Sequence, residues 1–80
     1  MHLIHIGANV NVVDVYNSTP LHYACIIGDL EIVQCLVQNG ANVNARNNQN
    51  VSPVGLAVEI ESYQLVDFLV ANGALLPTWG

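Results

Sequence analysis

Apolar positions along this chain come in two matching sets, Ile32, Val33, Leu36, Val37 and then Leu65, Val66, Leu69, Val70. Spacing of i, i+1, i+4, i+5 gathers each set on one face of a helix. The second set lies 33 residues after the first (65 − 32). Gly7, Gly40 and Gly73 keep the same interval, as do Thr19-Pro20 with Ser52-Pro53 and Ala24 with Ala57. The pentapeptide GANVN stands at Gly7–Asn11 and again at Gly40–Asn44; a third copy opens at Gly73-Ala74 and breaks into Leu75-Leu76-Pro77. Separate features held in one register identify an internal repeat.

Each part of the period predicts an element. Thr19 and Ser52 are hydroxyl residues directly before a proline, the pattern of an N-cap followed by proline at the first helical position. A first helix is predicted from Pro20 to Ile27, ended by Gly28 in the left-handed conformation. Asp29 caps a second helix, and Gly40 stops it. The matching pair runs from Pro53 to Ile60 and from Tyr63 to Asn72, with Ser62 as cap and Gly73 as stop. Between the pairs, residues 11–18 and 44–50 are polar and Asn-rich, which predicts turns or hairpin-like tips.

A 33-residue turn–helix–helix unit carrying Thr19-Pro20-Leu21-His22-Tyr23-Ala24 resembles the ankyrin repeat. The resemblance implies an all-α repeat solenoid, a stack of helix-turn-helix pairs joined by β-hairpin-like loops. On that frame residues 14–46 form one repeat, 47–80 a terminal repeat, and 1–13 the tail of a preceding one. Asn17 and Asn50 occupy the family's turn-glycine position, and Val54-Gly55 replaces Leu21-His22. Glu61 replaces Gly28 and is a poor residue for a left-handed position, so that helix is expected to end differently. Pro77 removes a backbone donor, so a third hairpin is not expected and the C-terminus reads as the end of the array.

Composition narrows the function. One basic residue, Arg46, stands against six acids, for a formal net charge of −5. Phosphate neutralisation needs several Lys and Arg, so nucleic acid is excluded as a partner and an anionic membrane surface is disfavoured. No apolar run reaches the roughly 18 residues of a spanning helix, so membrane insertion is not expected. The N-terminal MHLIHIG lacks Lys and Arg and does not read as a secretory signal. Cys25 and Cys35 are too few for a disulfide framework. Together these favour the cell interior, cytoplasmic or nuclear.

Candidate chemistry is sparse. His22 and Cys25 lie one helical turn apart, as do His2 and His5, and both residue types are zinc ligands. Against that stands the role the resemblance implies for His22, bonding backbone across neighbouring repeats. A Cys–His nucleophile needs a thiolate-stabilising setting and an orienting group, whereas the cysteines fall where helices pack. Glu59 and Glu61 read as a solvated edge rather than an acid/base pair. No enzyme activity, cofactor or metal is expected. Asn17-Ser18-Thr19 and Asn50-Val51-Ser52 match the N-glycosylation pattern, at a turn that the repeat itself requires. The resemblance also marks Asn11 and Asn44 as positions open to asparagine hydroxylation, with a structural asparagine as the alternative.

Ankyrin-like proteins bind other proteins through hairpin tips and the concave face of the first helices. By position, that implies Val15, Tyr16 and Ser18 on one tip and Asn48, Gln49 and Val51 on the next. The first helices contribute Tyr23, Ile26 and Ile27, then Leu56, Glu59 and Ile60. Tyr23, Ile27 and Leu56 are equally suited to packing between repeats; Tyr16 and Ile26 are the stronger candidates. Their apolar character suits an apolar or helical protein ligand. Repeats bury their apolar faces only by stacking, and about three are needed for stability. The chain is therefore expected to be part of a longer array, a regulatory or targeting domain of a larger protein, or a self-associating element that pairs through the apolar N-terminal residues Leu3, Ile4 and Ile6.

Overall fold

A computed structural model of the chain describes residues 10–76. The described residues form two helix pairs: α1 Pro20–Ile27 with α2 Leu30–Gln38, and α3 Pro53–Glu59 with α4 Tyr63–Ala71. Within each pair the helices pack together; between pairs α1 packs on α3 and, less extensively, α2 on α4. Among the described residues there is no strand. His2, Leu3, Ile4, His5 and Ile6, and the break at Pro77, lie outside the described residues.

The core follows the predicted stripe. Leu21, Ala24, Cys25, Val33, Leu36, Val54, Ala57, Leu65 and Leu69 are buried, with Ile32, Val37, Val66 and Phe68 packed against them. Burying a Leu or Val side chain fully contributes about 2 kcal/mol, so these side chains are the main stabilising term. The valine of GANVN joins them: Val10 is 6% exposed and Val43 9%. Leu76, in the corresponding place of the broken third copy, is 56% exposed.

Helix starts differ between the pairs. Thr19 caps α1, accepting the His22 backbone N–H while its own N–H bonds the His22 ring, a reciprocal capping box. Asp29 caps α2 by accepting from Glu31 and Ile32 N–H. Ser52 and Ser62 sit at the cap positions of α3 and α4 but make no side-chain cap bond, contrary to expectation. At α3 the N3 residue is Gly55, which has no side chain to supply the reciprocal half of the box that His22 supplies in α1.

Helix α3 does end with other bonds than α1, which closes on Gly28 N–H to Ala24 O, but not by avoiding the left-handed conformation. Glu61 takes the left-handed conformation after all, at φ 58°. Its N–H bonds Val58 O at 2.9 Å and Ser62 N–H bonds Ala57 O at 2.9 Å, the paired bonds of a Schellman ending. The same pair closes α2 at Gly40 and α4 at Gly73. Both α3 and α4 end one residue earlier than predicted, at Glu59 and Ala71.

Candidate protein-binding face

The chain turns through two equivalent tips, one leading into α1 and one between the two helix pairs. Asp14 Oδ1 accepts from Tyr16 and Ser18 N–H, and Asp14 O accepts from Asn17 N–H. Thirty-three residues on, Asn47 does the same for Gln49, Val51 and Asn50. Asn17 and Asn50 close these tips with φ of 62° and 64°, values asparagine tolerates better than most residues. The tips are tied together, because Asn48 N–H donates to Tyr16 O and Asn48 Nδ2 to Val15 O.

A set of side chains binds each unit to the next at a constant separation of 29. Asn11 Nδ2 donates to Gly40 O, Asn17 Nδ2 to Arg46 O, and Asn44 Nδ2 to Gly73 O. His22 Nε2 donates to Val51 O at 2.8 Å, and Nδ1 accepts from Thr19 N–H at 3.1 Å. Asn11 and Asn44 each also accept a backbone N–H, from Asn42 at 2.7 Å and Leu75 at 2.8 Å. The final asparagine of GANVN is therefore a two-point clamp on the next copy of the phrase. Sequence reasoning placed these asparagines in turns and missed the clamp; their exact 33-residue recurrence was the available signal.

These bonds define what the polar candidates do. His22 is buried with both ring nitrogens bonded, so it serves the stack as the resemblance implied, and no lone pair is left for a metal. Among the described residues no three or more His, Cys, Asp or Glu gather into a metal-holding group. Cys25 is buried and its thiol is pushed up to about 12 by desolvation, the opposite of an activated nucleophile. The amides of Asn11, Asn17 and Asn44 are committed to backbone.

The binding candidates divide by exposure. Val15 (85%), Tyr16 (65%), Ile26 (52%) and Ile27 (71%) are well exposed. Tyr23 and Ile60 are partly open, and Asn48, Gln49 and Glu59 are exposed. Ser18 is buried and its N–H is held by Asp14, so it offers no contact surface. Val51 and Leu56 are half-buried between the units. The exposed Val12 and Val13, which lead into the first tip, and Tyr63 at the start of α4 were not anticipated.

One bond joins tip to helix: the Tyr23 hydroxyl donates to Asp14 Oδ2. That bond, followed by the Ser18 N–H, holds the Asp14 carboxyl below its ordinary value. The same bond, reinforced by desolvation, pushes the Tyr23 hydroxyl above the usual tyrosine range. Asp14 thus fixes the tip carrying Val15 and Tyr16 relative to α1 carrying Ile26 and Ile27.

Among the described residues no helix is long and apolar enough to cross a membrane. The family profile described as ankyrin repeats, in three copies, matches residues 1–77. No curated protein matches the chain. With helix pairs at a 33-residue period and a profile match over nearly its whole length, the chain belongs to the ankyrin-repeat family, whose members are generally protein–protein interaction modules and typically non-catalytic.

Proposed function

We propose that this chain is a non-catalytic module that binds a protein partner through its first tip and the open side of α1 and α3. The carrying observation is the exposed apolar group of Val15, Tyr16, Ile26 and Ile27 beside polar residues committed to holding the stack. Exposed apolar side chains on a rigid frame bind with little ordering cost, and tyrosine is enriched among residues that dominate interface energy. Asn48, Gln49, Glu59 and Ile60 extend the surface toward the second pair, and Tyr23 supports it through Asp14. The environment this implies is intracellular, cytoplasmic or nuclear.

The test is affinity capture with the intact chain and with a Tyr16→Ala, Ile26→Ala double variant, against an Asp67→Asn control on α4. The double variant is expected to lose the partners that wild type and control retain. Equal recovery from all three would overturn the proposed face.

A second reading, self-association, is favoured by Leu75 and Leu76, exposed at 68% and 56%, the latter in the place where Val10 and Val43 are covered. Sedimentation of the isolated chain tests it, and a monomer at high concentration would count against it.

A further inference from the structure

We propose that the edge formed by the last turns of α1 and α3 docks a cationic, apolar segment of the protein partner. This rests on the reading that the first helices bind protein, and it adds the partner's charge. Ile27 and Ile60, at equivalent positions of the two pairs, are both exposed there. A Cβ built on Gly28 would lie 3.4 Å from Ile60 Cδ1, so the two turns abut and the isoleucines border one patch.

Two local rules are broken at this same edge. Glu59 sits in the last turn of α3, where the outward carbonyls favour cations over anions. Glu61, two residues on, holds a left-handed backbone that glycine holds in the first pair. Neither α1 nor α3 has a basic residue in its last turn. The chain's one Lys or Arg, Arg46, bonds Asn50 in the second tip. Among the described residues, then, no Lys or Arg of either helix end offsets the negative potential at the edge. Departures from local preference that coincide in one place are expected at functional sites.

An apolar floor with an anionic border selects its ligand chemistry. A Lys or Arg side chain lays its methylene stem on apolar surface and keeps its charged head at the polar margin. Here the stem would lie on Ile27 and Ile60, and the head would meet Glu59, Glu61 and the terminal carbonyls of the helices. Glu59 and Glu61 are two residues apart, and among the described residues no group of three or more His, Cys, Asp or Glu could hold a metal ion. A polyanion is repelled.

The probes are two short amphipathic helical peptides with one Leu/Ile pattern, the polar positions Lys and Arg in one and Gln in the other. Each is titrated into the isotope-labelled full chain by NMR. The basic peptide is expected to shift the amides of residues 26–31 and 59–63. A Glu59→Gln, Glu61→Gln variant, conservative at exposed positions, is expected to lower its affinity roughly tenfold. Asp67→Asn, a charge removed from α4, changes it by less than about twofold, and added salt weakens binding in wild type. If Asp67→Asn weakens binding as much as the double variant does, the attraction is general and the proposal falls. If both peptides bind the first helices equally, the charge preference falls while protein binding there stands. Absence of shifts on α1 and α3 with either peptide overturns both.

Discussion

Replacing Glu61 with glycine is expected to stabilise this chain, although it deletes a side chain and breaks no clash. Glu61 is held at φ 58° by two backbone bonds around it, its own N–H to Val58 O and the Ser62 N–H to Ala57 O. A left-handed conformation costs an ordinary L-residue roughly 1–2 kcal/mol, because Cβ crowds the following carbonyl. Glycine removes that term but gives back about 0.4–1 kcal/mol through the greater freedom of the unfolded chain. Removing a negative charge beside the C-terminus of α3 adds about 0.3 kcal/mol. The balance is a gain of about 1 kcal/mol, which in a domain of this size raises Tm by about 4–8 °C.

Urea denaturation followed by far-UV circular dichroism reads this directly as a rise in midpoint at unchanged slope. Glu61→Gln separates charge from backbone, since it neutralises the group and keeps the Cβ; it should recover only the smaller electrostatic part. The reciprocal change, Gly28→Ala, imposes the strain where φ is 83° and the nearest atom to the new Cβ is an ordinary 3.4 Å away. It should lose about 1 kcal/mol. If Glu61→Gly is neutral or destabilising while Gly28→Ala behaves as expected, the Glu61 side chain makes a stabilising contribution that outweighs the backbone term, and the reasoning fails.

Three further outcomes follow from the clamps and the core. Asn44→Ala removes the bonds to Gly73 O and from Leu75 N–H; it should cost about 1–2 kcal/mol and speed hydrogen exchange at Leu75 ahead of the core amides. His22→Phe keeps a ring in place but leaves Thr19 N–H unpaired in a buried site and strips Val51 O of its His22 bond; a loss of about 3 kcal/mol in urea unfolding is expected, and a loss below about 1 kcal/mol would mean the ring is not an inter-unit link. With an aromatic disulfide reagent at mildly alkaline pH, the exposed Cys35 should react in the folded chain. Cys25, buried with its thiol raised to about 12, should react only on unfolding; two thiols labelled at equal rates under native conditions would contradict the burial.

The period carried the fold because every 33-residue match encodes a backbone requirement. Thr19-Pro20 starts a helix, Gly40 and Gly73 take positive φ, and the apolar quartets, all but the exposed Val70, fill one core. Local rules failed where neighbouring units overrule them. Glu61 has the wrong propensity for its conformation, yet the ending it sits in is fixed by the same bonds that close α2 and α4. Ser52 has the right chemistry for a cap and makes no cap bond, and the reciprocal bond that His22 gives Thr19 has no counterpart at Gly55. Ser18 was placed at a tip by position, but Asp14 draws its backbone inward.

The same bonds separate residues that hold the stack from residues free to recognise something else. A side chain bonded to a carbonyl 29 residues on, such as Asn11, Asn17, His22 or Asn44, sets the distance and angle between units. Changing it moves a whole helix pair against its neighbour. Val15, Tyr16, Ile26 and Ile27 carry no such bond through their side chains, and their exposure keeps them out of the core. They can change identity at little cost in stability, because exposed substitutions away from caps and networks typically shift it by less than about 0.5 kcal/mol. A Tyr16→Ala, Ile26→Ala variant should therefore unfold at nearly the wild-type urea concentration, so that a loss of binding by it reports on recognition and not on folding.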